Sequence, residues 1–189
     1  MTDIGAKYSF ELNTDILKLI AQEFEPVRVV SNFARAIQGK KGKEVEVIGK
    51  RIFEEYGTNW MKRTIQLSEE YPDRTYEVLK AAADETGMLV FPHVAQRFLE
   101  IAYLSSHELA TLPIMENNNR NLIYRMVDCL IWSNMKEKCG EAIANLLPCR
   151  YACLAACQAV REDLDMDLVI EMNATMPKAG YCEFSLRRA

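Results

Sequence analysis

Residues 149–188 read CRYACLAACQAVREDLDMDLVIEMNATMPKAGYCEFSLRR, and this stretch decides how the second half of the chain folds. Cys149, Cys153 and Cys157 recur at every fourth position, a spacing that places them near one face of a helix. The residues after that helix alternate in character, turn at the PKAG sequence and end in a strand that carries Cys182. If the strands fold back on the helix, Cys182 meets the other cysteines and forms a soft, partly buried site with them.

A second pair of predicted strands lies upstream of this stretch. The turn-rich sequence ENNNR at 116–120 separates two runs that we interpret as a β-hairpin. The predicted strands are 107–115, 121–132, 167–176 and 181–188, and the predicted helices between the hairpins are 134–146 and 149–164. This order predicts an α+β fold, with N-terminal helices followed by an antiparallel sheet of about four strands packed against helices.

The first half of the chain has helical periodicity. Ile16, Ile20 and Phe24 share one helical face, and Pro26 suits the first turn of the next helix. Gly57 is predicted to end a third helix. Further helices are predicted around Trp60–Leu67, at 72–83 and within 88–104.

No repeat, low-complexity tract or linker divides the sequence. We therefore expect residues 1–189 to form a single α+β domain. Its mainly helical part is 1–87, and its sheet-and-helix part, with the cysteine cluster, is 88–189.

Charge and composition narrow the class of function. The 189 residues carry a net charge of −4, which gives no reason to expect nucleic acid as a partner. No apolar run reaches the roughly 18 residues of a membrane span, and no secretory signal is visible. Six cysteines without an export signal indicate the reducing cytoplasm, with thiols or metal-bound thiolates rather than disulfides.

Short motifs around the cysteines resemble a known family. A cysteine ends the predicted strand at VDC (Cys129), another begins a helix at LLPC (Cys149), and the last strand has the pattern G-x-C-x-F at Gly180, Cys182 and Phe184. This arrangement resembles the L-2-amino-thiazoline-4-carboxylic acid hydrolase family. The resemblance implies a small-molecule hydrolase that opens a C–N bond in a small cyclic substrate.

The C-terminal part also resembles the small-molecule-binding domain named for 4-vinyl reductases. That domain has the order Glu, two residues, Cys, seven residues, Cys, which is matched here by Glu171, Ala174 and Cys182. The resemblance implies a zinc site formed by Cys149, Glu171 and Cys182. Alanine at position 174 removes one thiolate, and closed zinc sites usually have four ligands.

Four residues are the candidates for catalysis. Cys149 or Cys153 would act as nucleophile or metal ligand, Glu171 as general base or ligand, and Cys129 as a further nucleophile or ligand. Each has a structural alternative. Cysteines in an alanine-rich helix pack as small apolar residues, and Glu171 is unremarkable if it faces water.

Two other readings stay open. The same residues could form a non-catalytic module that senses a small molecule or holds zinc, or the chain could be a dimerising adaptor, which would make it a homodimer. A cysteine nucleophile would need a base nearby, and His93 and His107 are the only histidines in the sequence.

Overall fold

A computed structural model describes residues 14–70, 93–118 and 120–188. The helices and strands, numbered in chain order, are α1 (Thr14–Glu23), α2 (Pro26–Ala36), α3 (Lys43–Glu70), α4 (His93–Ser106), β1 (Ile114–Asn117), β2 (Asn121–Met126), α5 (Leu130–Cys139), α6 (Glu141–Asn145), α7 (Arg150–Asp163), β3 (Leu168–Ala174), α8 (Met176–Ala179) and β4 (Cys182–Arg188). The helix predicted at 72–83 and the boundary near Gly87 lie outside the described residues.

The α+β prediction is confirmed. The four strands form one antiparallel sheet in the order β1-β2-β4-β3, so the last strand in the chain lies between β2 and β3. Alternation along the strands gives the sheet two different faces. Leu122, Tyr124 and Met126 of β2 are buried on the face that meets the helices, as are Phe184 and Leu186 of β4.

The first hairpin is shorter than the sequence predicts. Residues 107–109 form a turn, and β2 ends at Met126. A single bridge joins Thr111 to Val127, and Asp128 then adopts a left-handed conformation with φ of 54°. This residue breaks the strand, so α5 begins at Leu130, four residues earlier than predicted.

Helix α3 runs without interruption through Gly57, so the predicted helix end at this residue is wrong. The reason is a close approach between helices. A β-carbon on Gly57 would lie 2.1 Å from the carbonyl oxygen of Ala152 in α7. Glycine is needed here because α7 presses against α3, and the sequence signal that resembles a helix stop is a packing contact.

The start of α2 agrees with the prediction. Pro26 occupies its first turn, where the missing N–H of proline costs no hydrogen bond. Val30 and Phe33 of α2 are fully buried, and Phe33 contacts Phe53 of α3 with ring centroids 5.2 Å apart. These contacts fix α2 against α3, which is also the helix that packs most extensively against α7.

Candidate functional site

The structure brings four cysteines together from three separate segments of the chain. Cys129 lies at the start of α5, Cys149 and Cys153 at the start and first turn of α7, and Cys182 at the start of β4. The thiols of Cys129 and Cys182 are close enough to those of Cys149 and Cys153 to raise their pKa values, and Cys129 raises the pKa of Cys182. We call these four residues the thiol cluster.

Burial makes every thiol of the cluster harder to ionise. It raises the pKa of Cys129, and it raises the pKa of Cys182 to about 11. Burial also holds the pKa values of Cys149 and Cys153 well above the ordinary value, and the neighbouring thiols raise them further. At neutral pH the cluster is therefore protonated unless a positive charge enters it.

Backbone N–H groups oppose this effect at three of the four thiols. The N–H groups of Ile131 and Trp132 lower the pKa of Cys129, after burial has raised it. The N–H of Met176 does the same for Cys182. At Cys149, its own N–H and the nearby Arg150 guanidinium act in this direction. The cluster thus has the donors that stabilise thiolates, but burial dominates.

The left-handed residue Asp128 explains how Cys129 reaches the cluster. In a continued strand, Cys129 would point to the same side as Ile123 and Arg125, away from the helices. Because β2 ends at Met126 and the backbone reverses at Asp128, Cys129 is buried at the beginning of α5 instead.

Cys157, the third cysteine of the helical stripe, has a different partner. Its sulfur lies 2.9 Å from the hydroxyl oxygen of Tyr124, which is buried and stacks on Phe184 with centroids 5.5 Å apart. Burial raises the pKa of Cys157 to about 11. Cys153 lies one turn before it and approaches the sulfur of Met126 at 3.7 Å. These contacts make Cys157 a core residue of the sheet–helix interface.

Glu171 does not join the cysteines, which corrects the predicted site. It pairs with Ser185 in the sheet register, and its position in β3 is exposed. Residues 183, 185 and 187 of β4 point away from the face that carries Cys182. Glu171 therefore lies on the outer face, where it forms an ion pair with Arg187. The predicted zinc ligands Cys149, Glu171 and Cys182 do not converge.

The described residues supply no imidazole to the thiol cluster. His107 is exposed and lies 3.3 Å from Glu108, on the turn after α4. The side chain of His93 lies outside the described residues. Arg125 pairs with Glu183 at 2.8 Å and lies over the Tyr181 ring, so its guanidinium is engaged on the outer face of the sheet.

The thiol cluster is not arranged as a ready-made metal site. Within the described ranges, no group of three or more histidine, cysteine, aspartate or glutamate side chains is positioned to hold a metal ion. All six cysteines are free thiols. The donor set of the cluster has the soft chemistry that zinc and copper(I) prefer, but its sulfur atoms would have to move together to share one ion.

Sequence reasoning missed Tyr56. This tyrosine lies on α3, donates its hydroxyl hydrogen to the carbonyl oxygen of Phe24 at 2.7 Å, and is adjacent to the cluster. Burial raises its pKa, and the Cys153 and Cys129 thiols raise it further. In the sequence, Tyr56 fits an apolar face of a helix, and no spacing pattern relates it to cysteines more than 70 positions away.

One described stretch, Glu141–Asp163, is long and apolar enough to cross a membrane by length and composition, and half of its most apolar window is buried inside the protein. The core helices of soluble proteins have the same pattern. Here the stretch includes α7, which packs against α3 and the sheet.

Comparisons with known proteins do not place the chain in a family. No family model matches the sequence, and no curated protein matches it significantly. Among solved structures, the chain is similar to a mutant of the Fe(II) unliganded H-NOX protein from K. algicida. The two are 14% identical, the alignment covers 93% of this chain and 94% of that one, and the TM-score is 0.36. At this level the likeness carries no argument about function.

Proposed function

We propose that the chain is a non-catalytic metal-binding module, in which the thiol cluster holds one soft cation such as zinc. The observation that carries this proposal is that thiols from three segments of the chain lie near enough to raise one another's pKa. Cys129 and Cys182 act in this way on Cys149 and Cys153, and Cys129 acts on Cys182.

The charge state of the cluster favours a cation over a nucleophile. A cysteine nucleophile works as a thiolate, usually with a base or a neighbouring positive charge to lower its pKa. Here burial raises the pKa of all four thiols, and no carboxylate or imidazole among the described residues contacts them. A bound cation would supply the missing charge and convert the thiols to thiolates.

Binding would require the cluster to close. Cys149 and Cys153 lie one helical turn apart, which lets two neighbouring thiols face one ion. Cys129 and Cys182 would have to move towards them, because no three candidate ligands among the described residues are already placed to share one ion. Because ligation removes protons from protonated thiols, metal binding would release protons and weaken as the pH falls.

The metal content of the protein tests the proposal directly. The chain would be purified anaerobically without chelators, and its metal measured by elemental mass spectrometry. We expect close to one zinc ion per chain, lost in Cys149→Ser and Cys182→Ser. The matched controls are Cys157→Ser, on the same helix but paired with Tyr124, and Cys139→Ser, at the end of α5; both should keep the metal. A metal-free wild-type protein that also takes up no added zinc would contradict the proposal.

Ring-opening hydrolysis remains the alternative proposal, based on the family resemblance. It predicts turnover of L-2-amino-thiazoline-4-carboxylate by the wild-type chain and loss of turnover in Cys149→Ser or Cys153→Ser. The exposed position of Glu171 gives this alternative no general base at the cluster. Turnover that survives in Glu171→Gln but not in the cysteine variants would therefore favour a cysteine-only mechanism.

A further inference from the structure

A cavity of about 230 Å³ lies between α1, α3 and α4, and Tyr56 forms part of its wall. Its wall is mostly apolar and is formed by Leu17, Ile20, Ala21, Phe24, Pro26, Tyr56, Trp60, Leu104, Ser105, Glu108 and Leu109. Since one water molecule occupies about 30 Å³ of liquid, the cavity has room for a molecule of roughly eight water volumes.

Three aromatic rings form one side of this cavity. Phe24 and Tyr56 meet edge to face, with centroids 5.9 Å apart and an interplanar angle of 74°. Tyr56 and Trp60 are one helical turn apart on α3, with centroids 6.0 Å apart. Several rings at differing angles around one cavity are the arrangement in which aromatic cages recognise organic cations.

The polar groups of the wall fit a cation and no other charged ligand. The hydroxyl of Tyr56 already donates to Phe24, and that of Ser105 donates to the Ala102 carbonyl oxygen at 2.9 Å. No lysine or arginine is among the residues of the described wall. The carboxylate of Glu108 lies at the edge, beside the exposed His107. An anion would be repelled by the Glu108 carboxylate, whereas a positive charge would be attracted to it, in competition with His107, and to the aromatic rings of the wall.

We propose that this cavity binds a small organic ammonium ion, with a quaternary or tertiary nitrogen joined to a hydrocarbon group. The ammonium group would lie against Tyr56 and Trp60 with Glu108 at the rim, and the hydrocarbon group would lie among the aliphatic residues of α1 and α4. The proposal does not depend on metal binding by the thiol cluster.

Trp60 provides a direct reporter of binding. The chain has two tryptophans, and Trp132 carries a buried ring N–H that has no hydrogen-bond partner in the described residues. Trp132→Phe removes that N–H and leaves Trp60 as the single tryptophan. In this background, fluorescence titration would compare benzyltrimethylammonium with neopentylbenzene, its neutral carbon isostere, and with the anion phenylacetate. We expect saturable quenching by the cation, with a Kd about tenfold lower than that of the neutral isostere, and none by phenylacetate.

A charge variant separates a cation site from an apolar one. Glu108→Gln should raise the Kd of benzyltrimethylammonium about threefold and leave that of neopentylbenzene unchanged. Glu162→Gln, an exposed change on α7 away from the cavity, is the matched control and should alter neither value. Circular dichroism would verify that each variant is folded. Equal affinity for cation and isostere, an unchanged Kd in Glu108→Gln, or no saturable quenching by the cation would each overturn the proposal.

Discussion

Gly57 of α3 lies directly against Ala152 of α7, so closely that a β-carbon on Gly57 would sit 2.1 Å from the Ala152 carbonyl oxygen and 2.7 Å from its α-carbon. The atoms in the way belong to the backbone of a helix, which cannot turn aside as a flexible side chain can. This contact sets the distance between α3 and α7, and α7 carries two of the four thiols of the cluster.

Replacing Gly57 with alanine should therefore destabilise the protein. Alanine is better than glycine inside a helix by up to about 1 kcal/mol, but overpacking costs about 1–3 kcal/mol or more, and the overlap with backbone atoms of Ala152 puts the cost at the upper end, so the net effect is a loss. Urea unfolding of Gly57→Ala, followed by circular dichroism, measures the difference. Asn59→Ala on the exposed side of α3 is the control and should be neutral or slightly stabilising. A stable Gly57→Ala protein would mean that the two helices can separate freely.

The hydrogen bond between Tyr124 and Cys157 can be tested by removing one hydroxyl. Tyr124→Phe keeps the ring stack on Phe184 and leaves Cys157 without its partner, which should cost about 1 kcal/mol. Tyr103→Phe is the matched control. Its hydroxyl bonds the Leu112 carbonyl oxygen at 3.0 Å, but Tyr103 is exposed, so water can replace the lost bond. Equal losses in urea unfolding would contradict a special role for the buried pair.

Buried thiols should make the metal-free protein sensitive to alkali. The pKa of Cys157 is raised from 9.0 to about 11, chiefly by burial, so the folded state holds the thiol proton more tightly than the unfolded state. The resulting stability is present below pH 9 and is lost as the pH rises towards 11. At pH 10.5 this one group should cost about 2 kcal/mol relative to pH 8.

Comparison with Cys157→Ala isolates that contribution. The variant starts from a lower stability at pH 8 because a buried side chain is truncated, but its further loss between pH 8 and pH 10.5 should be about 2 kcal/mol smaller than that of the wild type. Parallel loss in the two proteins would show that Cys157 ionises normally in the folded state.

Two ion pairs on the outer face of the sheet should differ in strength. Arg125 and Glu183 are 31% and 18% exposed, and the guanidinium also covers the Tyr181 ring at 4.1 Å. Arg187 and Glu171 are about half exposed. Double-mutant cycles with alanine should give a coupling near 1 kcal/mol for the first pair and at most about 0.5 kcal/mol for the second, and added salt should reduce the second more. The reverse order would contradict this reading of the outer face.

The sequence predicts which segments are helices and which are strands better than it predicts where each one begins and ends. Periodicity places α2, β3 and β4 nearly correctly, because Pro26 and the strand alternation are local signals, whereas most of the predicted first strand is not a strand. The sequence signal at Gly57 is ambiguous, because glycine both ends helices and permits close packing between helices. Only the position of Ala152 in the structure shows which of these roles Gly57 has. The early end of β2 at Met126 was equally hidden, since Asp128 gives no strong turn signal by itself.

The candidate site was predictable in part. Helical spacing relates Cys149 to Cys153, and the closing strand places Cys182 near enough to raise the pKa of both. The sequence could not show which residues of β3 face the helices, because a shift of one residue in the pairing of β3 with β4 would have turned Glu171 inward. In the observed register Glu171 pairs with Ser185, and this pairing leaves the Glu171 carboxylate exposed to water.

The central position of β4 has a consequence for how the protein is made. Strands β2 and β3 never pair with each other, so neither can complete its hydrogen bonds until residues 182–188 have left the ribosome. A nascent chain stopped before this segment would carry two bare strand edges and three of the four thiols. The sheet is therefore expected to fold only after residues 182–188 have emerged from the ribosome. Until then the nascent chain exposes unpaired strand edges, to which chaperones can bind.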